Sequence, residues 1–106
     1  MIGIDIVEIE DFARRDFSRI FTSREQEYIN RATNSARKTE VMAGIYSAKE
    51  AVFKALGLCG LGLDILREIE ILHDDNGAPS CVFRGTYVQL SISHTRHTAV
   101  AVAFVR

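Results

Sequence analysis

Between Tyr46 and Lys54 the chain reads Tyr-Ser-Ala-Lys-Glu-Ala-Val-Phe-Lys, placing one carboxylate and two ammonium groups within about two turns of a predicted helix. Glu50 and Lys54 are four positions apart and share one helix face. Lys49 lies about 100° around, at the edge of an apolar stripe made by Val41, Ile45, Ala48, Val52 and Leu56. A solvated helix keeps its charges opposite its stripe, so Lys49 points to an internal ligand or a buried partner. If the Glu50 and Lys54 face meets a site, the chemistry is that of phosphate and metal; otherwise the two form an ordinary surface pair.

Two other stretches carry candidate groups. Ile2 to Ile9 reads as a strand rich in β-branched residues, apolar enough to be covered on both faces, and Asp5 interrupts it. An aspartate there asks for a cation, unless it lies beyond the covered part of the strand. Ser91-Ile92-Ser93-His94-Thr95 ends another strand with hydroxyls and an imidazole that can converge on an oxyanion; a lone histidine in a turn is otherwise a plain surface residue.

The elements that position these groups follow from pattern. Asp11 to about Arg31 is helical and polar, and Thr22-Ser23-Arg24-Glu25 has the form of a capping box, which puts a short helix before Thr22 and a second after it. Arg14, Arg15, Arg19 and Arg24 make a local basic patch, either a docking surface or a solvated face. Thr33 to Thr39 reads as a loop into a main helix of about Glu40 to Leu56, ending at Gly57. The following Leu-Cys-Gly-Leu-Gly-Leu-Asp stretch fits a mobile lid or wall and matches no phosphate-binding loop. Glu68–Leu72 reads as a strand, Asp74-Asp75-Asn76-Gly77 as a hairpin turn and Ser80–Phe83 as the return. Val88, Leu90 and Ile92 alternate into another strand, and Ala99–Val105 closes an antiparallel sheet whose alanines form a flat face for a helix or another subunit.

Composition bounds the function. A chain of 106 residues, 47% hydrophobic and 25% charged, holds one core and makes a single domain over 1–106. A net charge of −1 excludes a general polyanion binder, so neither nucleic acid nor an anionic membrane is an expected partner. Cys59 and Cys81 lack metal-ligand spacing and no secretory leader is evident, which fits a cytoplasmic protein with reduced thiols. No apolar run reaches the roughly 18 residues of a membrane span.

Taken in order, an acid in the first strand, a Lys-Glu-Ala-x-x-Lys helix, an Asn-Gly-x-Pro turn and a Ser-His-Thr turn resemble the holo-acyl-carrier-protein synthase family of phosphopantetheinyl transferases, from Ile2 to nearly the C-terminus. The family's opening Gly-x-Asp appears as Gly3-Ile4-Asp5, its aromatic followed by Lys-Glu-Ala and a further lysine as Tyr46 to Lys54, and its Ser-x-Ser-His-Thr as Ser91 to Thr95. The resemblance implies an α+β fold, with helices against a small antiparallel sheet. It implies magnesium-dependent transfer of 4′-phosphopantetheine from coenzyme A to a serine of an apo acyl carrier protein, releasing adenosine 3′,5′-bisphosphate. Asp5 and Glu50 would hold magnesium, Glu50 or a metal-associated water would take the serine proton, and Lys54 would stabilise the departing phosphate. Lys49, His94 and Thr95 would hold phosphate oxygens, Arg37 the 3′-phosphate, and Asn76, Gly77 and Pro79 the turn beside the adenosine. Short members of the family form homotrimers with active sites between neighbours.

Two positions depart from the family pattern. Asp11 stands where many members carry a carrier-docking arginine, and an acid there repels an acidic partner, which leaves docking to the basic cluster. Ile45 stands where an Ala-Gly-Arg pattern supplies a phosphate-binding charge, and Arg37 or Lys38 would have to replace it.

Overall fold

The computed structural model describes residues 1–60 and 62–106. Among these residues the chain forms an antiparallel sheet and four α-helices. Strand β1 (Ile2–Glu8) is followed by the short helix α1 (Asp11–Arg14), a 3₁₀ turn at Ser18–Ile20, α2 (Ser23–Asn30) and the long α3 (Ser35–Ala55). Then come α4 (Leu63–Glu68), β2 (Leu72–His73), β3 (Pro79–Phe83), β4 (Thr86–His94) and β5 (Thr98–Phe104). The sheet order is β1-β5-β4-β3-β2, so first and last strands pair at one end, with Asp5 opposite Ala101 and Ala101 opposite Ile92. The fold is α+β, as the resemblance implies. Among the described residues no helix is long and apolar enough to cross a membrane.

Helix α3 lies across one face of the sheet, and small residues let it come close. Ala99, Ala101 and Ala103 on β5 are buried beneath it, as are Ala48, Ala51 and Ala55 on the helix itself. Gly3 allows the closest approach: a Cβ there would stand 2.0 Å from the Ala51 carbonyl oxygen and 2.7 Å from the Ala55 nitrogen. The alanine face is therefore covered by the chain's own helix and is not the surface that a second subunit would meet.

Several other expectations need correcting. Helix α3 starts at Ser35, because the Asn34 side chain accepts a hydrogen bond from the Arg37 N–H at 2.8 Å and caps a first turn whose polar residues give no periodicity to read. Glu68 ends α4 rather than opening a strand; the alternation from Glu68 to Leu72 is overridden by contacts that pin this segment to α3. The expected loop after Gly57 gives way to α4 at Leu63, and Leu61 lies outside the described residues. Strand β1 is an edge strand with one bare face: Ile2, Ile4 and Ile6 are 69%, 61% and 68% exposed. The capping box is present, with Thr22 Oγ1 accepting from the Glu25 N–H and Glu25 Oε1 accepting from the Thr22 N–H.

Gly3→Ala drives a methyl group into the α3 backbone, which cannot yield as a side chain can, and should cost about 3 kcal/mol, the upper end for overpacking. Urea unfolding of the variant beside the wild type measures it.

Candidate functional site

The register of β1 under α3 brings Asp5 to Lys54. Asp5 faces the helix side of the sheet with Gly3 and Val7, and its Oδ1 accepts a hydrogen bond from Lys54 Nζ at 3.1 Å. The same ammonium donates to the Ile4 carbonyl at 3.0 Å, so Lys54 is held to β1 through two contacts while remaining about half exposed. Asp5 Oδ2 is buried and has no partner among the described residues. A buried carboxylate oxygen left unsatisfied is costly, and a cation is what relieves it.

Glu50 stands one turn before Lys54, half-buried, and Tyr46 one turn before Glu50. The Tyr46 ring packs against Phe12 at 5.2 Å and Phe17 at 5.6 Å between centroids, which fixes its hydroxyl. Burial, with the negative charges of Glu50 and Asp5 adding to it, pushes that hydroxyl up to about 12.

Could these residues hold a metal? Among the described residues no three His, Cys, Asp or Glu side chains cluster as a complete cage. Magnesium usually takes one or two carboxylates and completes its octahedron with water and substrate phosphate. Two acids, one with an orphaned oxygen, beside a lysine suit that ion better than a softer one.

A second cluster lies at the other end of α3. Arg37, Gly77, Pro79 and His94 line a cavity of about 160 Å³, together with Ile45, Ile92, Tyr28 and His73. Tyr28 and His73 stack with centroids 4.0 Å apart and 5° between planes, giving a flat aromatic wall. His94 Nδ1 lies 3.0 Å from the Thr95 carbonyl, so that nitrogen carries the proton and Nε2 is left for other contacts. Thr95 Oγ1 accepts from the His97 and Thr98 N–H groups at 3.3 and 3.2 Å, which leaves its hydroxyl proton to donate. Asn76 occupies the neighbouring hairpin, where Gly77 takes the left-handed φ of 85° that the turn requires. Arg37 and Glu50 are 13 positions apart on α3, roughly 20 Å along the axis. One chain therefore carries two half-sites, not one.

Lys49 belongs to neither. Its side chain is fully buried; Nζ is 2.8 Å from Glu25 Oε1 and donates to the Leu66 and Ile69 carbonyls at 2.7 Å each. These contacts use the three donors of the ammonium, so the phosphate-holding role implied for Lys49 is corrected: it meets a buried partner. Burial pushes the Glu25 carboxyl up and the Lys49 ammonium down, and each is opposed by the other's charge. Glu25 escaped sequence reasoning because its capping role already accounted for it, and no local signal names the partner of a buried acid. Ile45 is buried in the core, 1% exposed, so the position lacking arginine serves packing. In the basic patch, Arg14 pairs with Glu10, and Arg15 lines a cleft with Asp11, Phe17 and Tyr46.

The model of the 4′-phosphopantetheinyl transferase superfamily matches residues 1–105. The chain belongs to that superfamily. A holo-[acyl-carrier-protein] synthase of Staphylococcus saprophyticus is 38% identical over 94% of this chain and 91% of its own length, and that of Staphylococcus aureus 37% over 94% and 89%. Among solved structures, a holo-(acyl-carrier-protein) synthase from Bacillus anthracis in complex with coenzyme A (3′,5′-ADP) superposes with a TM-score of 0.82, at 37% identity and covering 96% of this chain and 91% of that one. The Helicobacter pylori enzyme in complex with coenzyme A gives a TM-score of 0.83 at 28% identity, covering all of both chains.

Glu50→Gln keeps the size of the side chain and removes the charge. We expect native circular dichroism with turnover lowered on the order of 10²–10³-fold, as when one charge-stabilising group is lost from a polar active site. Native turnover in the folded variant would exclude Glu50 from the reaction.

Proposed function

We propose that the protein transfers 4′-phosphopantetheine from coenzyme A to a serine of an apo acyl carrier protein, giving the holo carrier and adenosine 3′,5′-bisphosphate. The observation that carries this reading is the buried, unpartnered Asp5 Oδ2 beside Lys54 and Glu50. The names of the relatives, and the coenzyme A in two of the related structures, support the substrate pair.

Asp5 and Glu50 would hold magnesium, which when bound offsets the negative charge of the coenzyme A pyrophosphate. Glu50 accepts the proton of the carrier serine as its hydroxyl oxygen attacks the phosphorus that bears pantetheine. The new P–O bond forms as the bond to the bridging oxygen breaks, and the electron pair leaves with adenosine 3′,5′-bisphosphate. Lys54, already held toward Asp5, places its ammonium where that leaving phosphate gathers charge. Tyr46, packed against Phe12 and Phe17, stands one turn before Glu50 on the same face of α3. At the far half-site Arg37 meets the 3′-phosphate, the Asn76-Gly77-Ala78-Pro79 turn borders the adenosine, His94 lines the same cavity, and Thr95 donates its hydroxyl to a phosphate oxygen. Positioning and charge stabilisation dominate such transfers, which suits a site with little covalent chemistry of its own.

The reading includes a homotrimer with sites between neighbours. The outer face of the sheet supports it: Ile2, Ile4, Ile6, Phe104, Tyr87 and Val82 are exposed there in the single chain, an apolar surface of the kind that marks association. The roughly 20 Å between half-sites supports it too, because a neighbour can bring its own cavity to this chain's Glu50. Sedimentation should give a trimer for the wild type and a monomer for Ile4→Glu with Ile6→Glu; a wild-type monomer that is fully active would remove this part of the reading.

Intact-mass analysis of apo acyl carrier protein, incubated with the protein, coenzyme A and magnesium beside a chelator control, tests the reaction. The expected outcome is a metal-dependent gain of one phosphopantetheine. No gain despite coenzyme A binding would make the chain a binding module. In the same assay, reversing the charges of Arg14 and Arg15 should raise the carrier concentration needed, most at low salt; unchanged kinetics would place docking elsewhere.

A further inference from the structure

The cavity at the Arg37 end of α3 is poor in free positive charge. Among the described residues that line it, Arg37 is the one Arg or Lys side chain, and Glu40 lines the same cavity one turn further along the helix. Glu40 Oε1 accepts a hydrogen bond from Arg37 Nη1 at 3.3 Å, so a carboxylate already occupies part of the guanidinium. Burial pushes the His73 imidazole down from its ordinary value, against the opposing charge of Asp74, and at neutral pH that ring contributes a flat surface and no cation. Arg24 and Arg31 line a separate cleft beyond Tyr28 and His73, which Glu27 lines too. A 3′-phosphate entering the cavity therefore competes with Glu40 for one guanidinium, and where it gains that contact it lies beside a displaced carboxylate. Arg recognises phosphate strongly when its fork is free for two parallel hydrogen bonds, and a like charge set beside the anion offsets what the contact gives.

We propose that Glu40 is a specificity-determining residue: by sharing Arg37 it leaves the cavity without a free cation, and the protein consequently takes coenzyme A lacking its 3′-phosphate, dephospho-coenzyme A, as a phosphopantetheine donor on nearly equal terms. The inference rests on the transferase reading above and widens its donor class. The chemical step is otherwise the same. The carrier serine oxygen forms its bond to the phosphorus that bears pantetheine, its proton passes to Glu50, and the bond to the bridging oxygen breaks. The electron pair then leaves with adenosine 5′-phosphate in place of the bisphosphate. Because the 3′-phosphate is remote from the reacting phosphorus, its presence changes how tightly the donor is held and not the rate of transfer once it is bound.

The experiment compares coenzyme A with dephospho-coenzyme A, by calorimetry and as donors to an apo acyl carrier protein, for the wild type, for Glu40→Gln, and for Glu40→Gln with Arg37→Gln. The wild type should prefer coenzyme A by no more than about threefold. Glu40→Gln keeps the size of the side chain and removes its charge, and it should widen the preference to about tenfold or more, in KM and not in kcat. Adding Arg37→Gln should return the two donors to equality, which a merely structural effect of Glu40 would not do. A wild-type preference above about threefold, or a preference that Glu40→Gln leaves where it was, would overturn the inference. A wild type that binds both ligands in the expected ratio and modifies no carrier would refute the transferase reading alone, and failure to bind either ligand would refute both.

Discussion

The site depends on how closely α3 can lie on the strands that carry it. A helix against a sheet normally stands off by the depth of its side chains, but glycine at position 3 and alanines at 51, 55, 99, 101 and 103 remove that depth. The consequence is chemical. With the helix drawn down onto β1, Lys54 reaches both the Ile4 carbonyl and Asp5, and Glu50 comes to the same end of the helix as a carboxylate it is 45 residues from in sequence. A larger residue at Gly3 would separate these groups without changing any of them.

The second constraint is the ion pair beneath α4. Taking two charges out of water is expensive, and such pairs are weak sources of stability. What the pair supplies is place: every polar atom it exposes to the interior is met by a backbone group of α2, α4 or the entry to β2, and a displaced wall would leave a buried charge without a partner. The helix thus has a different task on each side of its sequence position 49. Lys49 faces inward and holds structure, while Glu50 turns toward the open site.

Much of the architecture was legible because it rests on local signals. The capping box at Thr22, the glycine end of α3 at Gly57, the Asn-Gly turn and the alternation in β4 and β5 are each set by neighbours in the chain. The errors arose where tertiary contacts decide. Glu68 to Leu72 alternates like a strand, yet Lys49 holds the carbonyls at Leu66 and Ile69 and a helix runs to Glu68. Ile2, Ile4 and Ile6 read as covered, and within one chain they are bare, since sequence does not say whether cover comes from the same chain. The catalytic candidates were legible through type and spacing, and the structure brings Asp5, Glu50 and Lys54 to one end of α3. The misplacement of Lys49 came from the family motif: its position at the edge of the apolar stripe left an internal ligand and a buried partner equally open, and the resemblance selected the ligand.

The central claim is that the close approach of α3 to β1 builds a two-carboxylate cation site. Crystals grown with coenzyme A and manganese in place of magnesium would test it directly through the anomalous signal of the metal. The account predicts a single strong peak between the Asp5 and Glu50 carboxylates, in contact with the pyrophosphate. Ordered coenzyme A with no peak there, or with the metal held by other residues, would contradict it.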